Sequence, residues 1–571
     1  MPNPPAGSVE PVPRESPPRW PDPSAESAAP RVLSRRSFLL GAAVARPALL
    51  LGRALPGAAR VGRSPSGGAR AAGACVLPDE VLNRIKRGWD PERSGQLVHV
   101  PHGWNYLDGF ISHSTPWGYT QNVPMLWYGP GFVPAKGTRD TYVMSPDIAP
   151  TIARLVKFPF AAPDGSPMEE AILPNRPKPK LVVVLVWDAG GRYVLSLHPG
   201  ATPNLDALAR KGVWYANASV GSNPSNTAPI HASIGTGAFP RTHGVVDNTI
   251  RFPDGSLREP WSNGPGVLKV PTLADEYAKA RGTRARTALF GSVTWHLGML
   301  GQGAALPGGV RHVAVIKRPN APLDGNAWWE LPASLASYYR FPAYVNDLPP
   351  LSTYRKQYAD AVDGRIDGTW RGHSIEQALG GFHTPARIPF QTHAIKALIE
   401  REHLGQHHEP DLLFLNYKII DEIGHEFYAD SPEMGDTIRV QDQFLQVLVD
   451  YLDRRLPRQW VLCLTADHGH TASPGRTGGA ALVEPTIHRL LERRFDRPAG
   501  DPSLVQIVRP TWVNLSPERA AGAPFDAMST YMSNLTVSQI ADPGTIGPGH
   551  GATRAFDAVF AGSLLPNLRC G

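Results

Sequence analysis

A short run in the last quarter of the chain places an aspartate directly beside a histidine. Val461 to Thr465 has the length and apolar character of a buried strand, and Asp467 and His468 follow it. In open α/β sheets, ligands bind outside the carboxyl ends of the strands. A carboxylate and an imidazole at such an edge suit a borderline cation such as zinc. One such pair proves little, so the remaining ligands have to come from other segments.

Two further apolar runs end in a similar way. Leu181–Trp187 stops at Asp188, and Asp411–Tyr417 is followed shortly by Asp421. Continuous apolar runs of this length are typical of strands buried on both faces, as in parallel sheets. Helical patterns lie between the runs, and this alternation predicts a doubly wound, largely parallel α/β sheet flanked by helices. The three runs would then deliver their polar residues to one edge of the sheet.

Two more segments offer reactive side chains. Asp421 and His425 are four residues apart, so on a helix they share one face and can bind one ion. Thr227 lies among small polar residues at the start of a predicted helix, where the helix dipole and unpaired N–H groups favour an anion. Any one of these features alone is more simply explained by a surface aspartate or a hydrogen-bonded core histidine. Their combination favours a metal site.

Together these segments resemble the alkaline phosphatase superfamily, in its branch of type I phosphodiesterases and nucleotide pyrophosphatases. The resemblance covers most of residues 181–470. Besides the strand that ends at Asp188, it rests on five motifs: Thr-Pro-Asn-Leu-Asp at 202–206, Ser-Asn-Thr-Ala-Pro-x-His at 225–231, Gly-Thr-Gly-x-x-Pro-x-x-His-Gly-Val-Val-x-Asn at 235–248, Asp-x-x-x-His at 421–425 and Thr-Ala-Asp-His-Gly at 465–469.

The resemblance implies a site with two zinc ions beside the substrate phosphate. The residues that it assigns to the first ion are Asp188, Thr227, Asp467 and His468. For the second ion it assigns Asp421, His425 and one further histidine. Thr227 would be the nucleophile, activated by zinc and passing through a phospho-threonine intermediate. Asn248 would contact a phosphate oxygen and add a donor where negative charge grows.

Two histidines compete for the last ligand position. His550 follows the Asp-His-Gly motif in the chain order that is usual for the superfamily. His113, however, begins a segment at 113–153 that resembles the stretch which normally closes the superfamily fold. The longer match favours His113 and implies a circularly permuted closing segment. His550 remains the alternative.

The residues around the phosphate separate monoesterases from diesterases. Lys317 and Arg318 resemble the Lys-x-Arg pair of threonine-dependent phosphomonoesterases, but in this chain the two are adjacent and need not converge. His296 and nearby aromatic residues could instead form the apolar surface that a diester leaving group requires. The sequence therefore favours a phosphodiesterase or nucleotide pyrophosphatase, with an alkaline phosphomonoesterase as the alternative. An exported, non-catalytic binding protein of the same fold is the third possibility.

Composition limits the class of protein and its partners. The chain has 571 residues, 42% hydrophobic and 19% charged, which is ordinary for a globular protein. A net charge of +7 over this length does not indicate a stable nucleic-acid partner, so we expect a small phosphate-ester or nucleotide substrate. Residues 75–180 form the segment that resembles the closing strand and helix. Residues 181–571 form the catalytic domain, with an inserted cap over about 249–390.

The first 74 residues predict a disordered leader that carries an export signal. Arg35 and Arg36 precede a short apolar stretch, an order that resembles a twin-arginine signal. The stretch is too short for a membrane anchor. We therefore expect the twin-arginine export machinery as a partner and a periplasmic, extracellular or envelope location. Cys463 lies in an apolar strand, whereas Cys75 and Cys570 could form a disulfide in an oxidising compartment.

Overall fold

The computed structural model describes six stretches of the chain: residues 75–107, 111–262, 264–319, 328–375, 383–496 and 502–568. All of them fall within one unit, Ser64–Gly571. The predicted leader, with Arg35 and Arg36, lies outside the described residues. Cys75 is disulfide-bonded and Cys463 is a buried free thiol. Cys570 lies outside the described residues.

The strands of these stretches are numbered in chain order. They are β1 (Leu97–Pro101), β2 (Tyr106–Leu107), β3 (Met125–Tyr128), β4 (Gly137–Met144), β5 (Leu181–Trp187), β6 (Val213–Ser219), β7 (Ile250–Arg251), β8 (Leu257–Arg258), β9 (Thr287–Phe290), β10 (His312–Lys317), β11 (Trp329–Glu330), β12 (Tyr339–Arg340), β13 (Thr369–Trp370), β14 (His373–Ser374), β15 (Asp411–Tyr417), β16 (Trp460–Thr465), β17 (Ala481–Leu482), β18 (Val505–Val508), β19 (Trp512–Leu515) and β20 (Phe556–Ala561).

The α-helices follow the same order. They are α1 (Asp79–Gly88), α2 (Gly118–Gln121), α3 (Ile148–Leu155), α4 (Arg192–Ser196), α5 (Pro203–Lys211), α6 (Thr227–Thr236), α7 (Pro240–His243), α8 (Leu273–Arg281), α9 (Ser352–Tyr358), α10 (Arg387–Arg401), α11 (Ile419–Phe427), α12 (Pro432–Arg455), α13 (Pro474–Thr477), α14 (Glu484–Phe495), α15 (Pro517–Ala520), α16 (Phe525–Ser533) and α17 (Val537–Ile540). No helix of the described stretches is long and apolar enough to cross a membrane.

A ten-stranded central sheet organises the described residues. Its order is β11-β10-β9-β15-β5-β16-β3-β6-β4, with β12 paired to β10. β3 and β11 run antiparallel to their neighbours, and the other strands are parallel. A second, four-stranded sheet has the order β18-β19-β1-β20. The predicted largely parallel α/β sheet is therefore confirmed.

Strand β5 shows why its sequence is apolar throughout. Its residues alternate between two cores, with Val183 and Leu185 packing in one and Val182 and Val184 in the other. The first core also holds side chains of α5, α10 and α12, and the second holds side chains of α3, α6 and α8. Because helices cover both faces, no position of the strand meets water, and every position is apolar.

The register of the central strands fixes the positions of their carboxyl ends. β15 and β5 pair along their whole length, with Tyr417 opposite Trp187. β16 and β5 pair up to Thr465, which lies opposite Val186. The loops that follow these three strands therefore begin side by side. The expectation that three strands end at one edge is met by this alignment.

The range 249–390, predicted as an inserted cap, contributes to the central sheet. β9 and β10 lie within it and extend the sheet beyond β15. Trp328 and Trp329, which suggested a cap surface, are buried in the core that contains β5. The range therefore includes sheet strands as well as an excursion from the sheet. These strands have only four and six residues and lie among proline- and glycine-rich loops, which hid them in the sequence.

The N-terminal segment, residues 75–180, joins both sheets. β3 and β4 belong to the central sheet, where β3 lies between β16 and β6, and β1 pairs with β19 and β20 in the second sheet. The segment was expected to supply a strand and a helix, and β3, β4 and α3 occupy it. Its loop after β2 also carries His113 toward the carboxyl ends of the central strands.

Candidate metal centre

The carboxyl ends of β5, β15 and β16 bring three chain segments together. Asp188 follows β5, Lys418 follows β15, and Asp467 lies two residues beyond β16. The Asp188 N–H donates to the Tyr417 carbonyl at 3.0 Å, which continues the pairing of β5 with β15. Asp467 Oδ1 accepts from the Ala189 N–H at 3.0 Å. Hydrogen bonds therefore join the loops after the strands as well as the strands themselves.

Carboxylate and imidazole groups gather at this edge in overlapping sets. In each set the ligand-type atoms lie within 4.8 Å of one another. Three of the sets are Asp188, Asp467 and His468; Asp421, His425 and His470; and His113, Asp421 and His468. Every member is buried except His425, which is partly exposed. Asp421 and His425 lie one turn apart on α11, as their spacing predicts.

Backbone carbonyls fix the tautomer of these histidines. His113 Nδ1 lies 3.1 Å from the Ser225 carbonyl, and His468 Nδ1 lies 3.0 Å from the Gly469 carbonyl. His425 Nδ1 contacts the Ile111 carbonyl. A carbonyl oxygen only accepts, so each Nδ1 carries the proton and donates it. In the neutral ring, Nε2 then presents a lone pair, which is the form that binds a metal ion.

The Nε2 atoms face carboxylate oxygens rather than donors. His113 Nε2 lies 3.4 Å from Asp421 Oδ1, and His468 Nε2 lies 3.2 Å from Asp467 Oδ2. These two carboxylate oxygens, His468 Nε2 and His470 Nε2 have no hydrogen-bond partner among the described residues. Buried acceptors that face each other are costly unless a proton or a metal ion lies between them. The donor set therefore fits a divalent ion of the zinc type.

His470 is the ligand-type residue that the sequence analysis missed. It lies two residues beyond His468, and its ring packs against α11 at Gly424. A Cβ atom at Gly424 would lie 2.6 Å from His470 Cδ2, so only glycine lets the ring approach the turn that carries Asp421 and His425. The signal was present in the sequence as Asp-His-Gly-His, in which the second histidine extends the motif.

The two competing histidines have very different surroundings. His113 is buried and stacks on His468, with ring centroids 3.6 Å apart. His550 is partly exposed, contacts Asn105 Oδ1 at 3.2 Å and lines a surface pocket with the loop at 544–549. It belongs to none of the ligand sets found in the described residues. The structure thus brings His113, and not His550, to the other ligand-type residues.

Thr227 is the first residue of α6, and its side chain reaches the same cluster. Its Oγ1 lies 3.1 Å from Lys418 Nζ. Asn248 Oδ1 accepts from the Ala228 N–H at 2.9 Å, so the side chain predicted to contact phosphate is anchored on the first turn of this helix. Asp247 accepts from the Asn248 N–H at 2.7 Å and fixes the loop. The structure thus brings Thr227 and Asn248 together at a helix N-terminus.

Two other buried histidines contact residues of the cluster. His296 Nδ1 accepts from the Ser292 N–H at 2.9 Å, so Nε2 carries the proton and lies 3.3 Å from Asp188 Oδ2. His231 Nδ1 donates to the Thr227 carbonyl at 2.8 Å. Both rings are fully buried. His296, predicted to form part of a substrate surface, lies against the Asp188 carboxylate instead.

Two lysines lie at or near the cluster. Lys418 is buried, and its Nζ lies 2.8 Å from Asp188 Oδ1 and 2.7 Å from Asp421 Oδ2. Burial lowers the pKa of Lys418, but the carboxylates outweigh burial and the net pKa is raised. Burial, followed by nearby Arg387, lowers the pKa of Lys317 to about 8. Lys317 Nζ lies 3.6 Å from Glu422 Oε1, one residue along α11 from Asp421.

The side chain of Arg318 does not share the surroundings of Lys317. Arg318 follows the last residue of β10; its Nε lies 3.8 Å from Glu330 Oε2, and its side chain is half exposed. Arg387, at the start of α10, instead pairs with Glu422. The basic pair near the site is therefore Lys317 with Arg387, two residues from different elements that share one carboxylate.

Comparison with known proteins identifies the family. The family model described as type I phosphodiesterase / nucleotide pyrophosphatase matches residues 182–518. The match covers more than half of the chain, and the chain belongs to this family. The resemblance that the motifs suggested is thereby confirmed.

Several relatives are alkaline phosphatases by name. Alkaline phosphatase PhoV of Synechococcus elongatus is 28% identical over 354 residues, covering 52% of this chain and 60% of that protein. Alkaline phosphatase PafA of Elizabethkingia meningoseptica is 24% identical over 360 residues, covering 52% of this chain and 61% of that protein. The chain thus matches about three fifths of the length of these relatives. The crystal structure of wild-type PafA covers 67% of this chain and 85% of its own, with 16% identity and a TM-score of 0.47.

Zinc binding should release protons from this cluster near neutral pH. Burial lowers the pKa of His468, but Asp467 outweighs burial and the pKa is raised to about 9. Below that pH the ring of the metal-free protein is protonated, so a metal ion has to displace the proton, and affinity should rise as the pH approaches 9. Calorimetry in buffers of different ionisation enthalpy measures the proton release.

Two matched variants control this experiment. His550→Gln, which changes a histidine away from the cluster, should keep the buffer dependence of the binding heat. His468→Gln should reduce it. A binding heat that is independent of the buffer in the wild-type protein would contradict the assignment of His468 as a ligand.

Proposed function

We propose that the protein is a zinc-dependent phosphoric ester hydrolase that uses Thr227 as its nucleophile. The observation that carries the proposal is the position of Thr227 Oγ1. It lies at the N-terminus of α6, beside the buried carboxylates and histidines that fit a metal ion. Membership of the type I phosphodiesterase / nucleotide pyrophosphatase family supports the same reaction class.

Two ligand sets would hold two zinc ions. The first consists of Asp188, Thr227, Asp467 and His468, and the second of Asp421 and His425 with His113 or His470. When bound, zinc supplies Lewis-acid activation of the threonine hydroxyl and positive charge for the transferring phosphoryl group. The Nδ1 contacts to backbone carbonyls hold the His113, His425 and His468 rings in the orientation that such ligands need.

The chain's own groups define the path of the reaction. Thr227 Oγ1 loses its proton and attacks phosphorus while the bond to the leaving group breaks; the departing alkoxide takes up a proton as an alcohol, and a phospho-threonine remains. Water then attacks phosphorus, releases phosphate or a phosphomonoester and restores the hydroxyl. The first turn of α6 directs its dipole toward the phosphoryl oxygens. Because Asn248 Oδ1 is already bound to the Ala228 N–H, its Nδ2 amide remains as a donor toward negative charge in the transition state.

Thr227→Ala should abolish hydrolysis while leaving the fold intact. We expect kcat to fall by at least about a thousandfold, because the variant lacks the hydroxyl that attacks phosphorus. Acid quenching with a ³²P-labelled substrate should trap a covalent phosphoprotein in the wild type and none in the variant. Thr236→Ala is the matched control, since Thr236 lies in the same helix and its hydroxyl bonds the backbone of Ala232 and Ala238. Labelling of the Thr227→Ala protein would disprove the nucleophile.

The substrate class that we favour is a phosphodiester or nucleotide. Glu422 neutralises part of the positive charge of Lys317 and Arg387, which suits the single charge of a diester better than the double charge of a monoester. The alternative, an alkaline phosphomonoesterase, is favoured by the same two residues if a substrate displaces Glu422. The names of the relatives, which are alkaline phosphatases, also favour the alternative.

A rate comparison distinguishes the two substrate classes. For a diesterase we expect a higher kcat/KM for an aryl phosphodiester than for the aryl monoester. If the enzyme is a diesterase, Lys317 does not serve to neutralise the second negative charge of a monoester. Lys317→Met should then lower kcat/KM for the diester and for the monoester by similar factors. Arg318→Met is the matched control and should change neither rate. A higher wild-type rate for the monoester, lost selectively in Lys317→Met, would establish the alternative.

We further propose export by the twin-arginine route. Arg35 and Arg36 precede a short apolar stretch, and the disulfide at Cys75 suits an oxidising compartment. Replacing both arginines by lysine should keep the protein in the cytoplasm, as cell fractionation would show. Arg46→Lys, in the same leader, is the control and should leave export unchanged. Export of the double variant at the wild-type level would contradict this route.

A further inference from the structure

Lys418 lies between the two ligand sets and touches members of both. Its Nζ is 2.8 Å from Asp188 Oδ1, in the first set, and 2.7 Å from Asp421 Oδ2, in the second. The same nitrogen lies 3.1 Å from Thr227 Oγ1. Its three protons therefore meet three atoms that the proposed function assigns to metal binding or to nucleophilic attack.

The fold fixes the position of Lys418, which is not a freely rotating side chain on the surface. The residue lies directly between β15 and α11 and is buried. Pairing of β15 with β5 places it beside Asp188, and it lies three residues before Asp421 in the chain. A rotation of the side chain out of the cluster would break its contacts with both carboxylates.

The charge of Lys418 matters because three carboxylates are buried together at this edge. Asp188, Asp421 and Asp467 are each almost completely inaccessible to water. Without a cation their mutual repulsion and lost hydration would be very costly. The ammonium group of Lys418 compensates part of this negative charge without a bound metal ion. Two divalent ions would compensate all of it and would then repel the ammonium group.

We propose that Lys418 is a fixed cation of the metal centre, which holds Asp188, Asp421 and Thr227 in place before metal binds and weakens metal binding by competing for the same oxygens. The inference goes beyond the proposed function, since it concerns the metal-free protein and the strength of metal binding. Lys418 thus acts as a positioning residue for the ligands and sets how tightly the site holds its ions.

The test compares Lys418→Met with wild type in the presence and absence of zinc. In chelator, the variant should unfold several degrees below wild type, because three buried carboxylates lose their compensating charge. With saturating zinc, this difference should shrink or vanish. Competition with a chromophoric chelator should show that the variant binds zinc about tenfold more tightly or better, because a positive charge has been removed from the site.

Two further variants separate charge from packing. Lys269→Met removes a lysine that bonds Asp90 at 2.7 Å and Glu92 at 3.0 Å away from the cluster, and it should leave zinc affinity unchanged. Lys418→Arg keeps the charge and should keep zinc affinity near that of wild type. Equal or weaker zinc binding by Lys418→Met would overturn the proposal, as would a variant that fails to fold even with zinc. None of these measurements requires turnover, so the proposal and the proposed hydrolase activity can fail independently.

Discussion

The burial of three carboxylates at one edge of a sheet is the constraint on which the rest of this structure depends. Asp188, Asp421 and Asp467 are held together although like charges in a poorly hydrated environment repel one another strongly. The pKa of Asp188 shows the balance: burial raises it, but Lys418 and nearby histidines lower it overall. Asp188 and Asp421 thus remain charged, and the raised pKa values of His468 and Lys418 beside them are consequences of that charge.

The parallel sheet makes this convergence possible. Parallel strands end at the same edge, and the full-length pairing of β5 with β15 and of β5 with β16 aligns those ends. The carboxylates therefore cannot move apart unless the two packed cores on either face of the sheet are disrupted. In this way the hydrophobic packing of strands such as β5 opposes the electrostatic repulsion at their ends.

Much of this arrangement was predictable from local sequence. The three long apolar runs indicated the centre of the sheet, and the spacing of Asp421 and His425 indicated one helical turn. The length of the segment that begins at His113 favoured this residue over His550 as the last ligand. These signals are strong because each depends on residues that are close in the chain.

The rest of the site and of the sheet depended on contacts between distant segments. β9 and β10 are short and flanked by proline and glycine, so periodicity alone did not identify them. His470 joins the cluster only because Gly424 lets its ring approach α11. Lys418 could not be told from an ordinary loop residue before the pairing of β15 with β5 placed it against Asp188.

The location of β3 has a consequence for where this protein can be divided. β3 comes from the first 130 residues, yet it lies between β16 and β6 inside the central sheet. The family match at 182–518 leaves β3 out. A fragment cut to those bounds would leave β16 with an open edge and β6 without either of its neighbours, β3 and β4, and such unpaired backbone edges favour aggregation. The matched region is therefore not a self-sufficient folding unit, because the amino-terminal segment supplies both neighbours of β6.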